Sequence, residues 1–109
     1  MSTVSTHVLD TALGKPAAGI RAVLEVQTQL GEWTPLGDTA TDADGRIKSF
    51  VPSLVSLAPG VYRLRFDTGG DQAAFYPEVM ITFRIDSPEQ HYHVPLLLSP
   101  FGYSTYRGS

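Results

Sequence analysis

The chain reads as an antiparallel β-sandwich of two sheets and about eight strands. Three observations predict this. Short runs alternate apolar and polar residues with the two-residue period of a strand. Turn-forming clusters (LGKPAAG, LGEW, DADGR, APG, TGGD, DSPEQ and SPFG) break those runs at short intervals. No segment carries helical periodicity with caps. Many short strands of this kind bury their apolar faces by packing one sheet on another.

In chain order, a first strand carries His7 between Thr6 and Val8. In IRAVLEVQTQL, Ala22, Leu24 and Val26 share one face, while Val23 blurs the polar side formed by Arg21, Glu25 and Gln27. The run D-G-R at 44–46 predicts a turn that feeds a strand, with Gly45 supplying the turn geometry. In GVYRLRFD, Tyr62, Leu64 and Phe66 oppose Arg63 and Arg65. The best helical attempt, DQAAFY at 71–76, is short and is stopped by Pro77. In EVMITFRID, Val79, Ile81, Phe83 and Ile85 alternate with Met80, Thr82 and Arg84. HYHVPLLL sets His91, His93, Pro95 and Leu97 against Tyr92, Val94, Leu96 and Leu98. Pro95 within that apolar strand predicts an edge or a bulge.

With 109 residues the chain is long enough for one domain, 1–109, and short for two. Hydrophobic content of 42% against 17% charged excludes a disordered chain. The modest charge predicts that other copies of the chain cover part of the surface. A net charge of −3 without a basic run argues against nucleic acid as a partner and gives no reason to expect a membrane surface. There is no cysteine, so no disulfide contributes. MSTVSTHVLD lacks the basic and apolar regions of a signal peptide, and no apolar run approaches spanning length, so the expected location is the cytoplasm.

The candidate chemistry lies in three histidines and an arginine. Taken singly, a strand histidine is most often a half-buried surface residue. His91 and His93, two apart, share a face. Arg46 by itself reads as a solvated residue beside a turn. Facing a pocket with the histidines, it would offer planar, paired hydrogen bonds to a carbonyl-rich ligand. His7, His91 and His93 also admit a zinc site, though no metal motif accompanies them. DADG matches only the start of a calcium loop. From residues alone the reading stops at a β-sandwich with a possible His/Arg site.

THVLDTALGKPAAGI, TDADGRIKSF, FYPEVMITFRI and HYHVPLLLSPFGYSTYRGS resemble the 5-hydroxyisourate hydrolases of the transthyretin-like family, over nearly the whole chain. The hormone carrier transthyretin is similar in the last segment but lacks the histidines and the Tyr-Arg-Gly-Ser end, which favours the enzyme branch. The resemblance implies a transthyretin-like sandwich and a homotetramer with its sites at the dimer–dimer interface. It implies hydrolysis of 5-hydroxyisourate, the unstable product of urate oxidation, with no metal or organic cofactor. Carried over residue by residue, it makes His7, Arg46 and His93 catalytic. His7, Arg46, Tyr106 and Ser109 would bind substrate, and His91, Arg107 and Gly108 would support them. Tyr106 is expected on the pocket side of an extended C-terminal strand and Arg107 turned away, with a carboxylate on Ser109 free to orient a histidine or pair with Arg46. In one departure from the family pattern, only GDQAA separates Gly69 from Phe75, so a short helix there is expected to be reduced or absent. Two other function classes compete: a non-catalytic small-molecule carrier of transthyretin type, and a zinc hydrolase built on the three histidines.

Overall fold

The computed structural model of the chain describes residues 3–52, 55–69, 74–87 and 89–108. Among these residues nine strands follow one another: β1 (Thr3–Asp10), β2 (Lys15–Pro16), β3 (Arg21–Gln27), β4 (Trp33–Ala40), β5 (Arg46–Ile47), β6 (Gly60–Asp67), β7 (Glu78–Ile85), β8 (His91–Ser99) and β9 (Gly102–Thr105). One sheet has the order β2-β1-β8-β9, with β5 also on β1; the other has the order β4-β3-β6-β7. There is no helix among the described residues, and so none long and apolar enough to cross a membrane. Residues 70–73, on which most of the expected helix loss falls, lie outside the described residues.

The period-2 faces become the core. Val4 and Val8 of β1 and Tyr92, Val94 and Leu96 of β8 meet Ala22 and Leu24 of β3, Leu64 and Phe66 of β6, and Val79 and Ile85 of β7. Phe66, Leu24, Leu64, Ile85 and Leu96 are the largest side chains buried almost completely. Each contributes on the order of 1.5–3 kcal/mol by leaving water. Phe50 and Leu57, from the stretch between β5 and β6, complete the same cluster.

Two local expectations are corrected. The pairing of β1 with β8 is parallel, in the register Thr3↔His91 to Asp10↔Leu98. Alternation reports which residues share a face and says nothing about strand direction. Pro95 is buried on β8, an interior strand between β1 and β9. Its carbonyl accepts the Thr105 hydroxyl from the β9 side, so its nitrogen faces that side too, just beyond the last β9 pair, Leu96↔Thr105. The missing N–H therefore falls where β9 stops and leaves the β1 ladder intact. β4 is an exposed edge strand that alternation could not mark, because it shows no buried face and carries Pro35 and Gly37.

Candidate active site

On β1, Val4, Thr6 and Val8 turn into the core, so Thr3, Ser5 and His7 take the outer face of the sheet. The parallel register sets Thr3 beside His91 and Ser5 beside His93. On the other side of β1, antiparallel β5 sets Arg46 directly opposite His7. Three strands thus bring His7, Arg46, His91 and His93 onto one face, although 86 residues separate the first histidine from the last.

Hydroxyls tie the histidines together. Ser5 Oγ lies 2.8 Å from His91 Nε2 and 2.7 Å from His93 Nδ1. The second nitrogen of His91, Nδ1, is bonded to the Thr3 hydroxyl. The two rings stand 6.5 Å apart and nearly parallel, at 17°. His7 donates from Nε2 to the Asp44 carbonyl at 2.9 Å, which leaves Nδ1 as the acceptor of the neutral ring.

The turn that presents Arg46 is built by Asp42. Its carboxylate accepts the Asp44 and Arg46 amides at 2.9 and 3.0 Å. The Arg46 amide first, and then the Asp44 amide, hold that carboxyl below its ordinary range. DADG is therefore a side-chain-capped turn. Gly45 has φ of 74°, and a Cβ there would sit 2.5 Å from the Val8 carbonyl oxygen. Its own carbonyl accepts the Val8 amide at 2.7 Å, which pins the turn to β1. Only glycine fits both the angle and the approach.

The C-terminal residues return to the histidines. Beyond β9 the chain bridges back to β8 at His93↔Gly108, with the Gly108 amide donating to the His93 carbonyl at 2.8 Å. Leu96↔Thr105 and His93↔Gly108 belong to one register. That register sets Tyr106 opposite Pro95, on the face that carries His93. Tyr106 is 57% exposed. Arg107 lies over the Tyr92 ring, 4.7 Å from its centroid, and donates to Gln90 Oε1 at 2.9 Å. Ser109 lies outside the described residues.

Ser5, Arg46, Lys48, His91 and His93 line an open cleft of about 550 Å³. That volume suits a small ligand, and among the described residues the lining offers cations and hydroxyls with no carboxylate. Burial first, then the charges of His91, Arg46 and His7, hold the His93 imidazole below the ordinary histidine value of 6.5. A second cavity, of about 330 Å³, lies among Leu13, Ile20, Phe75, Tyr76 and Leu98. It is mostly apolar, and among its described lining residues the titratable ones are Asp10 and Tyr76. No group of three or more His, Asp or Glu side chains is placed to hold a metal ion among the described residues.

His7, Arg46, His91 and His93 stand out in the sequence, whereas Thr3, Ser5 and Lys48 do not. Thr3 and Ser5 had a usable signal, since they precede His7 by four and two residues and so share its strand face. Lys48 had the same kind of signal, two residues after Arg46, although β5 ends at Ile47.

The model of the HIUase/Transthyretin family matches residues 4–108. The 5-hydroxyisourate hydrolase of Salmonella dublin is 49% identical over 111 residues, covering 97% of this chain and 80% of the relative. The solved structure of Klebsiella pneumoniae 5-hydroxyisourate hydrolase superposes with a TM-score of 0.85 at 38% identity, over all of both chains. Sea bream transthyretin in complex with thyroxine superposes with a TM-score of 0.87 at 32% identity, over 97% of this chain and 94% of that one.

Proposed function

Because the chain belongs to the HIUase/Transthyretin family, we propose that it hydrolyses 5-hydroxyisourate, a step of urate breakdown, and is not a carrier of the transthyretin kind. The observation that carries this reading is the cluster of His7, Arg46, His91 and His93 on one sheet face. Backbone superposition alone does not separate the two branches, since hydrolase and carrier fit almost equally well. A carrier needs a cleft; it does not need three imidazoles beside a guanidinium. The deciding experiment mixes the protein with freshly generated 5-hydroxyisourate and follows its ultraviolet absorbance against spontaneous decay. Acceleration supports hydrolysis, and binding without acceleration returns the carrier.

In the proposed mechanism, water adds to a ring carbonyl and the C–N bond then breaks. His93, kept neutral by burial and neighbouring cations, takes the proton from water at Nε2. Arg46 holds the substrate oxygens and stabilises the developing oxyanion. His7, oriented by its Nε2 donation to the Asp44 carbonyl, protonates the leaving nitrogen from Nδ1 as the imidazolium and is left as the neutral ring. Tyr106 borders the substrate from the C-terminal side.

Among the described residues, the charges that face His93 come from His91 on its own strand, His7 on β1, Arg46 on β5 and Lys48 just after it, and none of these is acidic. A base held below 6.5 stays neutral to lower pH than an ordinary histidine. The acid limb of kcat/KM is therefore expected below pH 6.5, and Arg46→Gln is expected to move the limb upward as well as slow turnover. A limb at or above 6.5 in the unsubstituted protein would remove His93 as the base.

We further propose a homotetramer with these sites at the dimer–dimer interface. Phe101 and Leu13 are 79% and 66% exposed, and Phe101, Phe75, Tyr76 and Tyr103 form a continuous chain of ring contacts on the surface. Such a patch is what an interface covers. Sedimentation equilibrium at micromolar concentration is expected to give four copies; a monomer would overturn the assembly and the shared site.

A further inference from the structure

A single hydroxyl stands between two imidazoles, and that restricts both rings. Ser5 Oγ contacts His91 Nε2 and His93 Nδ1, yet a serine hydroxyl carries only one hydrogen. If Ser5 donates to His93, then His91 must donate to Ser5. If Ser5 donates to His91, then His93 must donate to Ser5. His91 is held at its far nitrogen by the Thr3 hydroxyl, so both of its ring nitrogens are engaged.

We infer that Ser5 is a positioning residue that locks the tautomers of His91 and His93 to each other and passes a proton between them. This rests on the proposed role of His93 as the base. In the basic state His93 donates Nδ1–H to Ser5, Ser5 donates to His91 Nε2, and His91 donates Nδ1–H to Thr3. Nε2 of His93 then carries the free lone pair. When Nε2 takes a proton from the attacking water, the His93 Nδ1 proton moves to Ser5 Oγ as the Ser5 proton moves to His91 Nε2. One N–H and one O–H bond break, one O–H and one N–H bond form, and Ser5 remains a neutral hydroxyl throughout. The positive charge leaves half-buried His93 for exposed His91, where water solvates it better. His91 thus acts through His93 without touching the reacting atoms.

Two measurements test this. The first is a double-substitution cycle on turnover with Ser5→Ala, His91→Ala and the pair. Each single change is expected to lower kcat by ~10²-fold, the low end of what an oriented acid–base group contributes, with KM little changed. The pair is expected to cost no more than either alone, because both break one chain. Additive losses, or a Ser5→Ala variant at full kcat, would overturn the relay. The second needs no substrate: imidazole nitrogen chemical shifts of the assembled protein report the His93 tautomer. His91→Ala, a change at an exposed side chain, is expected to alter that tautomer when Ser5 is present and to leave it unaltered in the Ser5→Ala background. An effect independent of Ser5 refutes the link. If the unsubstituted protein fails to hydrolyse 5-hydroxyisourate, the functional reading fails while the tautomer measurement still decides the link.

Discussion

His93→Ala is expected to leave the sandwich folded and to lower hydrolysis of 5-hydroxyisourate by ~10²–10⁴-fold, the range in which a positioned acid–base group acts. The fold should survive because His93 belongs to the outer face of β8, whose inner face is carried by Tyr92, Val94 and Leu96. The structural loss is the hydrogen bond to Ser5, worth about 1 kcal/mol. His7→Ala is expected to lose turnover on the same scale, since His7 is held by one bond to the Asp44 carbonyl and contributes nothing to the core. His91→Ala should lose less than either. The check is the absorbance decay of freshly made substrate, with circular dichroism and sedimentation to show that fold and assembly persist. Folded His7→Ala and His93→Ala variants that both keep near-normal turnover would end the acid–base assignment.

Much of the fold was legible because strand faces are written at period two. Tyr62, Leu64 and Phe66, and Tyr92, Val94 and Leu96, are read directly from their runs and are buried as expected. What stayed hidden has physical causes. Alternation is blind to strand direction, so the parallel pairing of β1 and β8 had no local sign. An edge strand with both faces half-open loses its alternation, which concealed β4. Pro95 was a fair warning of a break in pairing, but the break lies in the neighbouring strand, where β9 ends opposite it.

The candidate site was legible in pieces. Each histidine alone is weak as a signal, and Arg46 alone is a turn residue. Their meeting depends on three strands far apart in the chain, a juxtaposition that no spacing rule encodes. Resemblance to a family supplied the grouping. The structure adds physical links among its members: the Asp44 carbonyl on His7, the Asp42 carboxylate behind Arg46, and the hydroxyls of Thr3 and Ser5 around His91 and His93.

Gly108→Ala is the substitution outside the histidines, Arg46 and Ser5 from which the largest loss is expected. A Cβ on Gly108 would stand 2.5 Å from His93 Cδ2 and 3.2 Å from Cγ, where ordinary contact begins at 3.4 Å. The ring is already held at Nδ1 by Ser5, and the Gly108 amide is bonded to the His93 carbonyl, so neither partner can yield without breaking a bond. Relief requires a displacement of about 1 Å, and a misplacement of that size costs on the order of 10²-fold in rate. The core should not notice, because the bridge lies past the end of β9 and contributes nothing to the buried cluster. The expected result is a folded, assembled variant with kcat lowered by ~10²-fold and an altered ring-nitrogen spectrum for His93. Gly60→Ala is the matched control, since its nearest neighbour would be a Tyr62 ring carbon at 3.8 Å, and it should keep normal turnover. If Gly108→Ala matched that control in rate and spectrum, the C-terminal residues would be packing against β8 without positioning the imidazole.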